Sequence, residues 1–360
     1  MLNHNFNNVF HGKRVLITGH TGFKGSWLSI WLRELGATVI GYSLDPKNKK
    51  DNFVLTDLQR DIIDLRGDIR DFNKLNDVFS KYKPEIVFHM AAQSLVNYSY
   101  HHPKYTYDVN VMGTLNILEA VRTHESVKVC IMVTSDKCYE NKEWVWGYRE
   151  NDSMGGHDPY SSSKGCCELL ISSYRNSYFP EKKYERHHKV IASVRAGNVI
   201  GGGDWSVDRI IPDCIRALEA NQKIIIRNPH AVRPWQHVLE PLSGYLLLTE
   251  KILTEGTRFS GAWNFGPKPS CIVPVEEVVI RLVKSWGSGN WGIVDVQEEE
   301  FHEASLLNLD ISKAKFQLDW SPRWSLQQAL DRTVEWYKNY NINTSMRGIC
   351  VKQIQQYCQS

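Results

Sequence analysis

The chain has 360 residues, of which 43 are lysine or arginine and 40 are aspartate or glutamate, so its formal net charge is only +3. This near balance gives no reason to expect a nucleic-acid partner or a membrane-surface partner. The length suits one large α/β unit or two domains. No apolar run reaches the roughly 20 residues that span a bilayer, and no hydrophobic signal core opens the chain, so we expect a cytoplasmic protein.

The eight cysteines are scattered, with no Cys-x-x-Cys pair and no cluster that has zinc-ligand spacing. We therefore expect free thiols that fill the core, and no metal site. Cys138 alone lies close to the candidate site described below, where a catalytic thiol is the alternative interpretation.

A strand is predicted over residues 13–18 and a helix over residues 26–35, joined by a loop with the spacing Gly-x-x-Gly-x-x-Gly. Such glycines permit a tight turn, the close approach of a pyrophosphate and the packing of helix on strand. The N-terminus of the helix also presents free N–H groups to an anion. A dinucleotide site is therefore favoured over a plain turn. The candidate cofactor residues of this loop are Gly19, Thr21, Gly22, Phe23 and Gly25.

A second strand over residues 38–43 ends where a dinucleotide fold uses an acid to bind the adenosine ribose. The nearest acid is Asp45, about 20 residues past the glycine loop. Ser43 is the alternative occupant of that position. Lysines at 47, 49 and 50 follow and would suit the 2′-phosphate of NADP, but on the whole pattern we favour NAD.

A third strand over residues 63–67 is followed by Asp68, which is placed either to meet an adenine or to cap a helix that begins near Asp71. A fourth strand over residues 85–89 ends in small residues that allow a cofactor, or simply a neighbouring element, to approach closely. A long helix predicted over residues 105–122 contains Asn110, which we expect to brace the active-site strand.

The most informative stretch begins with a strand over residues 129–134, followed by Ser135, Asp136 and Lys137. Chemistry in an open parallel sheet collects beyond the carboxyl ends of its strands. A helix predicted over residues 158–178 then presents Tyr160 and Lys164 one turn apart on one face. A nearby ammonium would lower the pKa of the phenol and make it a base near neutral pH. The alternative is a chance pair on a solvated helix face.

The alternation of strands and helices up to a strand over residues 190–195 predicts an α/β fold: a Rossmann-type doubly wound parallel sheet with a smaller mixed α/β substrate domain. The second half shows strand patterns at 224–227 and 263–266 and helix patterns at 210–220, 274–286 and 325–340. The predicted units are a cofactor domain over 1–197, a mainly substrate-binding domain over 198–340 from which segments such as 230–245 return to the first, and a tail over 341–360.

Four features together resemble the extended short-chain dehydrogenase/reductase family over about residues 13–340: the glycine loop with its preceding threonine, Asn110, the Tyr160–Lys164 pair, and Arg-x-x-Asn at 195–198. Within that family the chain looks most like the nucleotide-sugar 4,6-dehydratases that act on CDP-linked sugars, through the strings at 18–27, 134–139 and 233–238. Relatives that act on dTDP-glucose carry Asp-Glu where this chain has Asp136 and Lys137.

The resemblance implies NAD as the cofactor, held by the glycine loop, and CDP-glucose as the substrate. It places Asp68 and Ile69 at the adenine, and lines the rest of the cofactor with Ala91, Ala92 and Gln93. Arginine suits phosphate oxygens, so Arg233 and Asn198 are expected at the substrate diphosphate. The full set of candidate substrate residues is Asn198, Arg209, Arg233, Trp235 and His237, with a packed core tryptophan as the alternative for Trp235.

The resemblance also implies a homodimer or a dimer of dimers, built from the helices near 100–122 and 158–178, and a place in deoxysugar and lipopolysaccharide O-antigen synthesis. Its reaction begins with oxidation of C4 of the sugar to a ketone, which makes the C5 proton acidic. Tyr160, assisted by Lys164, would take the C4-hydroxyl proton, and Ser135 would hold that oxygen.

Water is then lost across C5 and C6, with Lys137 as the base at C5 and Asp136 as the acid at the C6 oxygen. A lysine of ordinary pKa is protonated at neutral pH. Lys137 therefore has two alternative roles, stabilising an enolate as a cation or only pairing with Asp136. Two other functions stay open: a nucleotide-sugar 4-epimerase, which needs no elimination pair, and a non-catalytic NAD-binding protein.

Overall fold

The computed structural model describes residues 5–293, 306–340, 342 and 345–360. The strands are β1 (Arg14–Thr18), β2 (Thr38–Ser43), β3 (Ile63–Arg66), β4 (Ile86–His89), β5 (Val129–Val133), β6 (Val190–Ala196), β7 (Val199–Ile200), β8 (Ile224–Ile226), β9 (Val232–Pro234), β10 (Gln236–His237), β11 (Gly261–Phe265), β12 (Ile272–Pro274) and β13 (Trp291–Ile293).

The helices are α1 (Phe23–Glu34), α2 (Asn52–Leu55), α3 (Phe72–Tyr82), α4 (Val96–His101), α5 (Pro103–Tyr107), α6 (Gly113–Thr123), α7 (Pro159–Ser177), α8 (Tyr184–His187), α9 (Ile210–Glu219), α10 (Leu239–Glu255), α11 (Val275–Trp286), α12 (Ser312–Leu318), α13 (Leu326–Asn339) and α14 (Met346–Gln359). None of the helices in the described ranges is both long and apolar enough to cross a membrane.

Seven parallel strands form the central sheet in the order β11-β6-β5-β4-β1-β2-β3. The strand order reverses between β1 and β4, which is where such sheets bind ligands. Helices cover both faces, so alternate residues of one strand enter different cores: Val15 and Ile17 pack with α1 and α10, whereas Leu16 packs with α3, α6 and α7. Burial on both faces is why these strands read as continuous apolar runs. The predicted Rossmann-type sheet is confirmed.

The long helix predicted over residues 105–122 is confirmed, with one local departure from α-helical geometry. A π-helical turn over Asp108–Met112 joins α5 to α6, and the backbone keeps helical angles at both junctions. A π-helical turn adds a residue to one helical turn and often lies at a functional site. Here it carries Asn110, whose contacts are described below.

Part of the second half belongs to the large sheet. The strand β11 pairs in parallel with β6 and forms the edge of the seven-stranded sheet, and α10 packs on β5, β6 and β11. Segments such as 230–245, within which α10 begins, were expected to return to the first domain, and the predicted domain bounds stay a prediction. Among the described residues, the smaller strands pair two by two, β7 with β10, β8 with β13, and β9 with β12.

The tail, for which the sequence pattern made no prediction, contains α14. This helix packs on α1 and α13, with Cys350, Ile354 and Tyr357 almost completely buried. The ring centroid of Tyr357 lies 5.9 Å from that of Trp31, in an edge-to-face arrangement. The tail therefore completes the core on the α1 side of the sheet.

Candidate active site

The glycine loop between β1 and α1 leaves no room for side chains. Gly19 has a φ of 76°, and a Cβ there would lie 2.8 Å from the backbone nitrogen of Ala91. A Cβ at Gly25 would lie 2.2 Å from the carbonyl oxygen of Gly19. Gly22 is the N-cap of α1 and, having no side chain, leaves the first N–H groups of the helix uncapped by any side chain. This cradle fits a dinucleotide pyrophosphate.

At the ribose position, the end of β2 lies against the glycine loop through a hydrogen bond of 2.8 Å between the hydroxyls of Thr21 and Ser43. Asp45 lies further out, where its side chain is 86% exposed and pairs with Arg66 at 3.3 Å. The backbone carbonyl of Tyr42 also contacts the loop, by accepting from the N–H of Gly19 at 2.9 Å. The side chain of Ser43 thus contacts the loop directly, and a contact of Asp45 with the ribose stays a prediction.

The contacts of Lys50 do not support a role in binding the 2′-phosphate of NADP. Its ammonium donates to the hydroxyl of Tyr340 at 2.9 Å and lies 4.8 Å from the ring centroid of Trp205. A lysine held in this way already has its partners within the protein.

The capping interpretation of Asp68 is wrong, because Asp71 is the N-cap of α3 and accepts from the backbone N–H of Lys74 at 3.0 Å. Asp68 instead binds the guanidinium of Arg70 through both carboxylate oxygens, at 3.0 and 2.7 Å. The hydrogen bonds from Arg70 hold the pKa of Asp68 below its ordinary value. Its role at an adenine stays a prediction, as does that of the buried Ile69.

Beyond β4, Ala91 and Ala92 are half-buried, and their role along a cofactor stays a prediction. The role of Gln93 along a cofactor likewise stays a prediction. Its amide donates to the carbonyl of Leu95 and to the hydroxyl of Thr106, both at 3.0 Å, and its oxygen accepts from the N–H of Leu95 at 2.6 Å. Gln93 therefore uses its side chain to shape the loop after β4.

Asn110 joins this loop to α7. Its side-chain oxygen accepts from the backbone N–H of Gln93 at 2.8 Å, and its amide donates to the carbonyl of Gln93 at 3.0 Å and to the hydroxyl of Ser163 at 2.8 Å. Asn110 therefore braces the segment after β4 and α7, and not, as expected, the strand before Ser135.

Tyr160 and Lys164 lie in the first turns of α7, with 8% and 5% of their surface exposed. The alternative of a solvated helix face is therefore wrong. The side chain of Ser135 lies near the phenol of Tyr160 and acts to lower its pKa. Burial raises the pKa of Tyr160 to about 12, and burial lowers the pKa of Lys164. The prediction that the pKa of the phenol is lowered is therefore wrong for this structure. Burial disfavours both the phenolate of Tyr160 and the ammonium of Lys164.

Asp136 follows β5 and lies in a 3₁₀ turn capped by Ser135, whose hydroxyl accepts from the N–H of Lys137 at 3.2 Å and donates to the Asp136 carboxylate at 3.1 Å. The other carboxylate oxygen of Asp136 is buried and has no hydrogen-bond partner among the described residues. Burial raises the pKa of Asp136, against the opposing charges of Lys137, Lys24 and Arg233. A carboxyl in this state is suited to donate a proton.

The adjacent thiol is unsuited to catalysis. Burial raises the pKa of Cys138 well above its ordinary value, so the nucleophilic thiolate is disfavoured. The interpretation of Cys138 as a core residue is therefore favoured.

Two arginines from the second half reach toward these groups. Arg209 pairs with Asp204 at 2.8 Å, donates to the hydroxyl of Ser94 at 3.1 Å, and its charge acts on Tyr160. Arg233 is buried, and its charge acts on Asp136. Asn198 follows β6 and pairs through its carbonyl with the N–H of Gln236 at 3.0 Å. The contacts of Arg209, Arg233 and Asn198 with a substrate stay predictions.

The structure assigns the other two candidate substrate residues to the core. Trp235 is 2% exposed, and its indole donates to the carbonyl of Val273 at 3.1 Å. His237 is completely buried between the rings of Trp27 and Trp324, and burial lowers its pKa to about 3. Both side chains therefore contribute to the core, which favours the packing alternative for Trp235, and contacts of Trp235 and His237 with a substrate stay predictions.

Sequence reasoning missed Lys24, a half-buried lysine inside the glycine-loop string. Burial lowers its pKa to about 8, assisted by Arg209 and Lys164 and opposed by Asp136. The ammonium of Lys24 therefore interacts electrostatically with Asp136, Lys164 and Arg209, although Lys24 belongs to the glycine-loop motif. The available signal was a charged residue at the start of an otherwise apolar helix.

The strand order of the parallel sheet reverses beside the glycine cradle, and α7 carries a buried Tyr–Lys pair. These features define a dinucleotide-binding protein of Rossmann type. The model of the GDP-mannose 4,6-dehydratase family matches residues 16–333, and the chain belongs to that family.

The chain is 53% identical to the CDP-glucose 4,6-dehydratase of Salmonella typhimurium over 97% of each sequence. Among solved structures, it resembles the dTDP-glucose 4,6-dehydratase of Streptomyces venezuelae with a TM-score of 0.76 and 23% identity, over 90% of this chain and 97% of that one. It also resembles an epimerase of Methanothermobacter thermautotrophicus with a TM-score of 0.78 and 23% identity, over 97% and 98% of the two chains. At these identities the two structures support the fold.

Proposed function

We propose that the chain is an NAD-dependent hydro-lyase that converts CDP-glucose into CDP-4-keto-6-deoxyglucose and water. One observation carries the proposal: the buried carboxyl of Asp136 accepts from the hydroxyl of Ser135 at 3.1 Å, its second oxygen has no hydrogen-bond partner among the described residues, and its charge acts on the phenol of Tyr160. Asp136, which can donate a proton to the departing C6 oxygen, thus lies next to Ser135 and Tyr160, which would take part in oxidation at C4. The 53% identical relative, which is a CDP-glucose 4,6-dehydratase, supports the choice of nucleotide.

The glycine cradle and the uncapped N-terminus of α1 suit the pyrophosphate of NAD, and two relatives of known structure that are dTDP-glucose 4,6-dehydratases contain NAD. When bound, NAD accepts a hydride from C4 of the sugar and returns it at C6. The protein holds the sugar and moves the protons.

In the first step Tyr160 takes the proton of the C4 hydroxyl, and the hydroxyl of Ser135, which lies near the phenol, holds the same oxygen. A pKa of about 12 for Tyr160 makes phenolate scarce at neutral pH, so nearby positive charge is needed. Lys164, one turn further along α7, and Arg209, whose charge acts on Tyr160, supply it.

In the second step the new ketone makes the C5 proton acidic. Lys137 removes this proton while Asp136 donates its own proton to the C6 oxygen, which leaves as water. As C6 is then reduced, Lys137 returns the proton to C5. Tyr160 has gained the proton of the C4 hydroxyl and Asp136 has lost one proton, so the protein as a whole gains and loses none. The product is therefore the substrate less one molecule of water.

A 4-epimerase needs only the first step and a rotation of the ketosugar, and it would have no use for a protonated carboxyl at C6. The test is incubation of the protein with NAD⁺ and CDP-, dTDP-, UDP- or GDP-glucose, followed by mass spectrometry of the sugar nucleotides. We expect CDP-glucose to lose the mass of one water. An unchanged mass with inverted C4 would identify an epimerase, and no turnover of any substrate would identify a non-catalytic binding protein.

We further infer a homodimer, or a dimer of dimers, through the helices on either side of Asn110 and through α7. Leu169 on α7 is 64% exposed and Met112, between α5 and α6, is 47% exposed, which supplies apolar surface on those two segments. The product class, a 4-keto-6-deoxy sugar nucleotide, suits deoxysugar and lipopolysaccharide O-antigen synthesis.

A further inference from the structure

A buried ion pair lies directly behind the candidate site. Glu168 is one turn past Lys164 on α7, and its carboxylate binds the guanidinium of Arg195 on β6 at 2.9 and 2.8 Å. Both side chains are 4% exposed. Burial alone would raise the pKa of Glu168, but the charge and hydrogen bonds of Arg195, together with the hydrogen bonds from Thr134 and Ser193, lower it. The pair is therefore ionised.

The pair holds both ends of the segment that carries Asp136 and Lys137. At the near end, the hydroxyl of Thr134 donates to the Glu168 carboxylate at 2.5 Å. At the far end, the guanidinium of Arg195 donates to the hydroxyl of Tyr139 at 2.6 Å. The residues that flank the segment on either side are thus both bound to one rigid unit.

The same unit is anchored on the helix that presents Tyr160. Because Glu168 lies two turns from Tyr160 on α7, the position of that carboxylate moves with the helix. The hydroxyl of Tyr139 continues the chain of contacts to the Asn264 side chain on β11, at 2.8 Å. The acid–base segment, the phenol helix and the sheet edge therefore share one hydrogen-bonded network.

A network of this kind is poorly explained by stability. Two ions lose their hydration on burial, and apolar residues of similar volume are often at least as stabilising. What a fully hydrogen-bonded buried pair does provide is one defined geometry. Misplacement of a catalytic group by about 1 Å is enough to slow a step by about 100-fold.

We propose that the Glu168–Arg195 pair is a positioning element that aligns Asp136 and Lys137 with Tyr160, so that elimination follows oxidation before the ketosugar is released or reduced back. The inference rests on the proposed function and concerns the coupling of its two halves. It assigns no chemical step to Glu168, Arg195, Thr134 or Tyr139.

The test removes one hydroxyl from each end of the segment, with Thr134→Val and Tyr139→Phe. Deleting Glu168 itself would leave a buried unpaired Arg195 and endanger folding. The matched control is Ser193→Ala, which removes a hydrogen bond of 2.7 Å to the same carboxylate from β6 without touching the segment. The readout is the ratio of dehydrated product to reduced nicotinamide, measured per folded protein by mass spectrometry and absorbance.

We expect Thr134→Val and Tyr139→Phe to lower this ratio about tenfold or more, to slow deuterium incorporation at C5, and to keep C4 oxidation near the wild-type rate. Ser193→Ala should keep the wild-type ratio with a similar fall in Tm. The proposal is overturned if all three variants keep the wild-type ratio, or if oxidation and elimination fall together. If wild-type protein dehydrates no sugar nucleotide, the proposed function is what has failed.

Discussion

The side-chain amide of Asn110 donates a hydrogen bond of 2.8 Å to the hydroxyl of Ser163, and so ties the π-helical turn between α5 and α6 to the helix that presents Tyr160. The same side chain occupies both backbone groups of Gln93. One asparagine thus sets the distance between the segment after β4 and α7.

We expect Asn110→Leu to lower the free energy of unfolding by roughly 1–3 kcal/mol for each buried backbone group of Gln93 that it leaves unpaired. Activity should fall as well, because the loop and α7 lose their common partner. Urea denaturation measures the first effect. The control is Asn176→Leu at the exposed end of α7, which should change stability by less than about 0.5 kcal/mol. Equal stability of the two variants would contradict the bracing role.

Tyr160→Phe should block oxidation at C4, because it removes the phenol oxygen that takes the proton of the C4 hydroxyl in the proposed first step. General acid–base catalysis contributes about 10²- to 10⁴-fold, so the rate of nicotinamide reduction should fall by that factor. NAD binding, measured by calorimetry, should be retained. Tyr174→Phe is the matched control, since this phenol lies on the same helix and only donates to Glu119, at 2.6 Å. Reduction at the wild-type rate in Tyr160→Phe would remove the tyrosine from the mechanism.

Asp136→Asn and Lys137→Ala should separate the two halves of the reaction. In both variants we expect reduced nicotinamide to form from CDP-glucose while dehydrated product falls by about 10²-fold or more, because the elimination has lost its acid or its base. Exchange of the C5 hydrogen with deuterium from the solvent distinguishes the two variants. Lys137→Ala should stop exchange, whereas Asp136→Asn should retain it. Normal turnover of Lys137→Ala would favour a purely structural lysine.

The buried His237 predicts a pH dependence of stability. Its pKa is lowered to about 3 by burial in the folded protein, against about 6.5 in the unfolded chain. Between these values only the unfolded state binds the proton, so stability rises with pH, and it is lost as the pH falls below about 6.5. The contribution to the slope is at most about 1.4 kcal/mol per pH unit.

His237→Asn removes this titration and keeps an acceptor near the N–H of Leu239, which the ring binds at 3.3 Å. The free energy of unfolding, measured by urea denaturation from about pH 4 to about pH 6, should therefore depend less steeply on pH in the variant. His101→Asn, at an exposed histidine, should keep the wild-type slope. A slope unchanged by His237→Asn would show that the ring is not the titrating group.

Leu169→Asp tests the proposed homodimer. A charge on this exposed leucine of α7 should shift the protein from dimer to monomer in analytical ultracentrifugation, because an unpaired carboxylate is costly to bury in an interface. Phe316→Asp, at an 89% exposed apolar residue on α12, is the control and should leave the oligomeric state as in the wild type. A monomeric wild-type protein would refute the inference directly.

Much of the cofactor half was predictable because its signals are local. The spacing of Gly19, Gly22 and Gly25 between an apolar run and a helix depends only on neighbouring residues, and so does the placement of Tyr160 and Lys164 one turn apart. The strand β2 was predicted with the bounds that the structure has. The short sequences around Asp136 and Arg233 likewise indicated the family and the type of reaction.

The sequence by itself thus determined the order of the elements, the glycine cradle and the candidate acid, base and phenol. Only the tertiary structure decided that β11 closes the sheet beside β6, that Trp235 and His237 lie in the core, and that Glu168 and Arg195 meet behind Asp136. It also decided the direction of the pKa shift of Tyr160, where burial outweighs the opposing effects of Ser135 and Arg209. The physical reason is that periodicity and turn chemistry act between neighbours along the chain, whereas burial and long-range pairing depend on which faces are brought together when the chain folds.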